Sequence, residues 1–198
     1  MIDIKKQDVI TSDFYDNETI TIAKKLLGTL LVHESNEGRT AVIIVETDAY
    51  LSNDDRAGHD ARGKTKRNEA MFERAGIAYV YLIYGNHYCF NVVTHEKDTG
   101  EAVLIRALEP IEGVELMKKR RSPKNKLNEL TSGPGKLCSA MGITKEHNKT
   151  DLKSSPLYLT TGINFKNEEI SSSKRIGISK GKEKPWRFYT KDNKFVSR

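Results

Sequence analysis

Two β-rich runs, residues 29–33 and 40–45, flank the turn-forming tetrad Ser35-Asn36-Glu37-Gly38. That pattern reads as an antiparallel hairpin, and it constrains the chain more than any other feature, because antiparallel strands need no crossover helix. Three more such runs follow at 79–83, 89–94 and 102–108, and two later ones at 157–161 and 175–178. Helical stretches are few and short. Residues 17–27 end at Gly28, residues 112–121 form a second, and Gly133-Pro134 opens a third that runs over 136–141 and stops at Gly142. Proline at a helix start and glycine past its end are the expected punctuation. Strands and helices do not alternate, so the expected class is α+β, with a curved, largely antiparallel β-sheet flanked by helices. No repeat or low-complexity linker interrupts the 198 residues, and a single domain over 1–198 is expected.

The charge is basic: 33 Lys and Arg against 27 Asp and Glu, a net +6, with an isoelectric point near 9.2. Such a surface suits a polyanion, although a solvated basic protein has the same balance. The excess is clustered. Residues 174–198 hold nine Lys or Arg and two acids, Lys118 to Arg121 form a second block, and Arg62 to Arg67 a third. Three clusters could converge on a phosphate backbone, while any one alone is more often a helix face or tail. Cys89 and Cys138 read as buried free thiols of a reducing compartment, and no second Cys/His pair completes a zinc pattern, so no metal is expected. The first residues lack the apolar core of a signal peptide, and no run approaches the roughly 18 apolar residues of a membrane span. The chain is expected in the cytoplasm.

Four features can carry chemistry. Glu46-Thr47-Asp48-Ala49-Tyr50 follows an apolar run, and in an extended chain Glu46, Asp48 and Tyr50 point one way. Two such carboxylates can have their pKa values pushed apart, leaving one as a base near neutral pH; the plainer reading is a pair of exposed acids where a strand enters a loop. Tyr79, Tyr81, Tyr84 and Tyr88 fall within ten residues. Aromatics beside basic clusters suit base stacking, although tyrosines in strands more often pack a sheet. Tyr84, beside Gly85 in a turn, should be exposed. Gly133-Pro134-Gly135-Lys136 opens a helix and is either an anion site or a plain cap. Arg106 lies inside the apolar run 102–108, where a charge needs a partner such as Asp48. His59 sits in a polar loop.

The strings AKKLLGTLLV (23–32), VETDAYL (45–51), TKRNEAMF (65–72), YVYLIYGNHYCFN (79–91), AVLIRALEPIEG (102–113), SGPGKLCSAMG (132–142) and the ending KPWRFY (184–189) occur in this order. Together they resemble the alkyladenine (3-methyladenine) DNA glycosylase family over nearly the whole chain. The resemblance implies a base-excision-repair enzyme that flips damaged purines out of duplex DNA and hydrolyses the glycosidic bond with water, without cofactor or covalent intermediate. It implies that Tyr84 wedges into the duplex from the minor-groove side and that Tyr50 and Tyr81 stack on the extruded base. His59 would bond that base, and Asn91 would exclude guanine. Asp48 would be the general base, with Arg106 and the Ile176 carbonyl holding its water. Thr65, Arg67 and Lys136 would meet the DNA backbone. A monomer is implied.

The chain departs from the family at the base position, where Asp48 replaces the usual Glu and retracts the carboxylate by roughly 1–1.5 Å. Backbone compensation, a slow enzyme, or help from Glu46 are the alternatives this raises. Asn86 and His87 also differ, at the tip after the wedge. Other classes are a protein that binds damaged DNA with little catalysis, and an RNA-binding module using the same aromatics and charge.

Overall fold

The computed structural model describes residues 3–52, 55, 57–58 and 63–197. The hairpin expected from Ser35 to Gly38 joins β1 (Leu30–Ser35) to β2 (Gly38–Tyr50), with Ser35 paired to Gly38. The next strands are β3 (Ala78–Ile83), β4 (His87–Val93) and β5 (Ala102–Glu112), and the last are β6 (Leu157–Thr160), β7 (Ile170–Ser173) and β8 (Arg187–Thr190). They form one sheet in the order β3-β4-β5-β2-β1-β6, with every pairing antiparallel. β2 is its axis. One edge of β2 pairs with β5 from Ala41 to Tyr50; the other pairs with β1 over the first half and with β8 at Glu46–Asp48. The outer edge of β3 is covered by the segment after the third helix, which bonds Ala78 through Lys149 and Thr150.

Among the described residues three short α-helices lie on one face: α1 (Thr19–Lys25), α2 (Val114–Arg121) and α3 (Pro134–Met141). The main core joins them to the sheet. Ile22 and Leu26, Met117, and Leu137 and Met141 meet Ile44, Ala49, Phe90, Val103 and Ile105. Each fully buried Leu or Ile contributes about 1.5–3 kcal/mol. Gly28, after α1, has φ +89°, and a Cβ there would stand 2.0 Å from the Ile163 carbonyl oxygen, so only glycine lets the two segments approach. Among the described residues no helix is long and apolar enough to cross a membrane.

Three expected boundaries move. α1 begins at Thr19 rather than Asn17. α2 begins at Val114, because β5 continues to Glu112 and Gly113 turns left-handed between them at φ +76°. Residues 175–178 are a loop and not a strand. Arg175 is drawn inward to an ionic partner, and Gly177 takes φ +77°. The late pairing falls on β7 and β8 instead, where polar Ser171–Ser173 gain strand structure from their partner more than from propensity.

A bulge decides which side chains reach the other face. The β2–β5 register slips between Ile44 and Glu46, and on β5 between Ala107 and Ile105. Before the slip Val42 and Ile44 face the helices; after it Ala49 does so, and Thr47 bonds the Ala23 carbonyl of α1. Because side chains alternate with period two, this change of parity turns Glu46, Asp48 and Tyr50 away from the helices. On that second face one apolar cluster (Val32, Ile43, Val45, Phe195) and another (Met71, Phe72, Ile77, Tyr79) leave room between them.

Candidate active site

One register row crosses five strands: Arg187 on β8, Asp48 on β2, Leu104 on β5, Asn91 on β4 and Tyr79 on β3. Over it opens a cavity of about 320 Å³, within the range of small-ligand sites. Tyr50, Tyr81, Asn91 and Arg106 stand in its walls. Pro134 and Gly135 at the start of α3 and the loop 176–178 complete them.

Asp48 and Arg106 are brought together as the lone cation in an apolar run required. Arg106 Nη1 donates to Asp48 Oδ2 at 2.9 Å and to the Ile176 carbonyl at 3.3 Å, while its Nε donates to Glu46 Oε1 at 3.1 Å. Asp48 is fully buried, and its Oδ1 has no hydrogen-bond partner among the described residues. Burial raises its pKa from 3.8 to about 7, and the charge of Glu46 adds to the rise against the opposing pull of Arg106. The carboxylate sits fully buried, one hydrogen bond behind Arg106.

Glu46 does not share that freedom. Its Oε1 accepts from Arg187 Nε at 2.6 Å and Ser197 Oγ at 2.8 Å in addition to Arg106, and its Oε2 accepts the Ser197 N–H at 2.7 Å. Four donors hold it in place as a structural anchor for β8 and the C-terminal segment, and neither of its oxygens is without a partner.

The aromatics line the opposite side. Tyr79 and Tyr81 share a face of β3 with ring centroids 5.1 Å apart and planes tilted by 34°. Tyr79 is almost wholly buried and supports Tyr81 from beneath. Asn91 is buried and donates its side-chain amide to the Tyr79 carbonyl at 3.0 Å, which fixes the face it presents. Tyr84 is 83% exposed at the tip of the β3–β4 hairpin. It and Gly85 have φ of +53° and +76°, and Asn86 N–H donates to the Ile83 carbonyl. Two successive positive φ values are the pattern of the type I′ turn, which favours Asn and Gly; a bulky aromatic there is strained.

Thr65 caps its own turn through Asn68 Oδ1 at 2.9 Å, and exposed Arg67 donates to the Leu82 carbonyl at 3.0 Å, beside the hairpin tip. Lys136 is exposed in the first turn of α3. His59 lies outside the described residues, as does Arg62 of the third basic cluster. In the α2 cluster Lys119 and Arg120 pair with Glu37 and Lys118 with Glu115, so three of its four cations already have acidic partners. Within the C-terminal cluster Arg187 serves Glu46, and Arg175 is fully buried against Asp55. That last pair is the main element the sequence did not reveal. Its members are 120 residues apart, and Arg175 is hidden among surface cations.

A family model described as methylpurine-DNA glycosylase matches residues 13–194. A relative from Methanoculleus marisnigri is 50% identical over 188 residues, 93% of this chain and 96% of the relative. One from Clostridium acetobutylicum is 48% identical over 196 residues, 93% and 95% of the two chains. One from Francisella tularensis is 51% identical over 184 residues, 91% and 94%. All three are assigned the name 3-methyladenine DNA glycosylase. With a match of this extent laid over a buried carboxylate, its arginine and an aromatic cavity, the chain belongs to the methylpurine-DNA glycosylase family, hydrolases that act on N-glycosyl bonds.

Proposed function

We propose that the protein is a monofunctional base-excision-repair glycosylase that flips alkylated or deaminated purines from duplex DNA and leaves an abasic site. Its lesions are 3-methyladenine, 7-methylguanine, hypoxanthine and ethenoadenine. The observation that carries this reading is Asp48: a buried carboxylate with one oxygen unbonded among the described residues and a pKa raised to about 7, beside an aromatic-walled cavity. A general base works best when its pKa lies near the operating pH.

A purine inside a duplex conceals its glycosidic bond, and extrusion costs a few kcal/mol, less for a weakly paired lesion. Tyr84 offsets this by entering the gap from the minor groove. Arg67, Thr65 and Lys136 hold the adjoining phosphates. Tyr50 and Tyr81 take the two faces of the base, His59 bonds its edge, and Asn91 rejects the exocyclic amine of guanine. A water held by Asp48 Oδ1, with Arg106 and the Ile176 carbonyl orienting it, attacks C1′. The new C–O bond forms as the C1′–N9 bond breaks, its electron pair leaves with the purine, and Asp48 takes the proton of the water. A cationic alkylated base departs neutral; a neutral base must also gain a proton. Asp48 in its charged form stabilises the positive charge developing on the sugar. The enzyme acts as a monomer on cytoplasmic, nucleoid-associated DNA without a cofactor.

Recessed Asp48 gives a second reading some support, that of a damage-binding protein with weak catalysis. Single-turnover incubation of a 5′-labelled duplex carrying one hypoxanthine, or one 7-methylguanine, followed by alkali separates them. Strand cleavage at the lesion is expected. Retention of the lesion duplex without cleavage of either substrate would establish the binder instead.

A further inference from the structure

The guanidinium of Arg175 touches five residues beside the site. It forms a bidentate pair with Asp55, both bonds at 2.6 Å, and donates to the carbonyls of Ala49 at 2.8 Å and Gly181 at 3.2 Å. Ala49 lies between Asp48 and Tyr50 on β2, and Arg175 immediately precedes Ile176, whose carbonyl meets Arg106. One side chain therefore ties the carbonyl loop to the strand that carries the base. The guanidinium carbon also stands 4.6 Å from the Tyr50 ring centroid and 5.2 Å from that of Trp186. Tyr50, a wall of the cavity, thus carries a cation on one of its faces. Gly181 keeps the space open, since a Cβ there would stand 3.0 Å from Asp55 Oδ1 and 3.1 Å from Arg175 Nη2.

A cation against one face of an aromatic ring competes with a cation on the other. Asp55 answers that problem. Its carboxylate neutralises the guanidinium, and it accepts the Ala57 and Leu51 N–H groups as well, at 3.1 and 3.3 Å. We infer that Arg175 is the positioning residue that fixes the Tyr50 ring and that Asp55 is the specificity determinant which, by cancelling the arginine charge behind that ring, lets Tyr50 accept positively charged purines as readily as neutral ones. This rests on the glycosylase reading above.

The test compares single-turnover rates on 7-methylguanine, a cationic base, and hypoxanthine, a neutral one. A base stacked on Tyr50 would lie about 8 Å from the guanidinium, the 4.6 Å to the ring plus about 3.5 Å of stacking. At that distance, with an effective dielectric constant of about 30, an uncancelled unit charge changes the ratio of the two rates about tenfold. Asp55→Asn should lower the 7-methylguanine to hypoxanthine ratio by about that factor. Arg175→Gln, which leaves the negative charge behind the ring, should raise it. A merely structural pair would slow both substrates alike, and an unchanged ratio in either folded variant overturns the specificity role. The neutral pair Asp55→Asn/Arg175→Gln buries no lone charge and keeps the test open if a single variant unfolds. It should slow both substrates at the wild-type ratio, and a wild-type rate would overturn the positioning role. Wild-type protein that cleaves neither lesion would instead remove the glycosylase reading itself.

Discussion

Glu46 and Asp48 stand two residues apart on β2 and divide one guanidinium between them, Arg106 Nε to Glu46 at 3.1 Å and Nη1 to Asp48 at 2.9 Å. The pair separates into an anchored carboxylate and an under-bonded one by what else each meets. Glu46 receives three more hydrogen bonds, from Arg187 and from the N–H and hydroxyl of Ser197. Asp48 has one oxygen without a partner among the described residues.

Asp48→Asn should lower single-turnover cleavage of a hypoxanthine duplex by at least about 10²-fold, the usual contribution of a general base. Lesion binding, measured by mobility shift, should stay close to wild type. Unchanged cleavage would remove Asp48 from the role.

Asp48→Glu advances the carboxylate toward the cavity by roughly 1–1.5 Å. A displacement of about 1 Å can change a rate about a hundredfold, so the variant should be faster than wild type in the same assay. A slower variant would mean that the bulge after Ile44 already sets Asp48 at its working depth.

Activity on 7-methylguanine should rise with pH through about 7, as burial-raised Asp48 loses its proton, and should level off above it. Stability runs the other way. The folded state holds this proton more tightly than an unfolded chain with the ordinary value of 3.8, so the contribution of Asp48 is full below about pH 4 and is lost as pH rises through about 7. Asp48→Asn should therefore gain thermal stability relative to wild type as pH increases, by at least about 1 kcal/mol at pH 8, or roughly 2–4 °C. A melting difference that is flat from pH 5 to pH 8 would contradict the raised pKa.

Glu46→Gln strands Arg187 and loosens Arg106. Removing one partner of a buried ionic network costs about 3–5 kcal/mol, and the melting temperature should drop accordingly. The rise of activity with pH should survive in the folded fraction. Its disappearance would transfer the role of base to Glu46.

Tyr84→Gly should do two opposite things. Relief of the left-handed backbone at φ +53° should stabilise the protein by about 1 kcal/mol, and binding of lesion duplex should weaken by about tenfold or more as the exposed ring is lost. Equal affinity would argue against a wedge.

Much of this could be read before any coordinates. β1 to β6 lie where the β-rich apolar and aromatic runs sit, because short runs of this kind bounded by turn residues mark strands locally. Arg106 announced its partner, because a charge within an apolar run has few ways to be satisfied. Tyr84 announced its exposure through Gly85. The arrangement of Arg175 and Asp55 left no such trace: the two are far apart in the chain, and each sits among polar neighbours. The bulge before Glu46 was equally silent. A register slip is set by what lies across the ladder, and nothing in the run 41–50 shows that the strand changes face there. β7 and β8 were missed for a related reason, since their strand character comes from pairing with each other and with β2.

The order of the strands separates two parts of the candidate site. The carboxylate and its arginine occupy the middle of the sheet, on β2 and β5, locked to neighbours on both sides. Tyr81, Tyr84 and Asn91 ride on the β3–β4 hairpin at its periphery. On the proposed function, substitutions in that outer ribbon would change which damage is recognised while the pair on β2 and β5 keeps its setting. On the proposed function, reader and blade are separate parts of one sheet, and either can be revised alone.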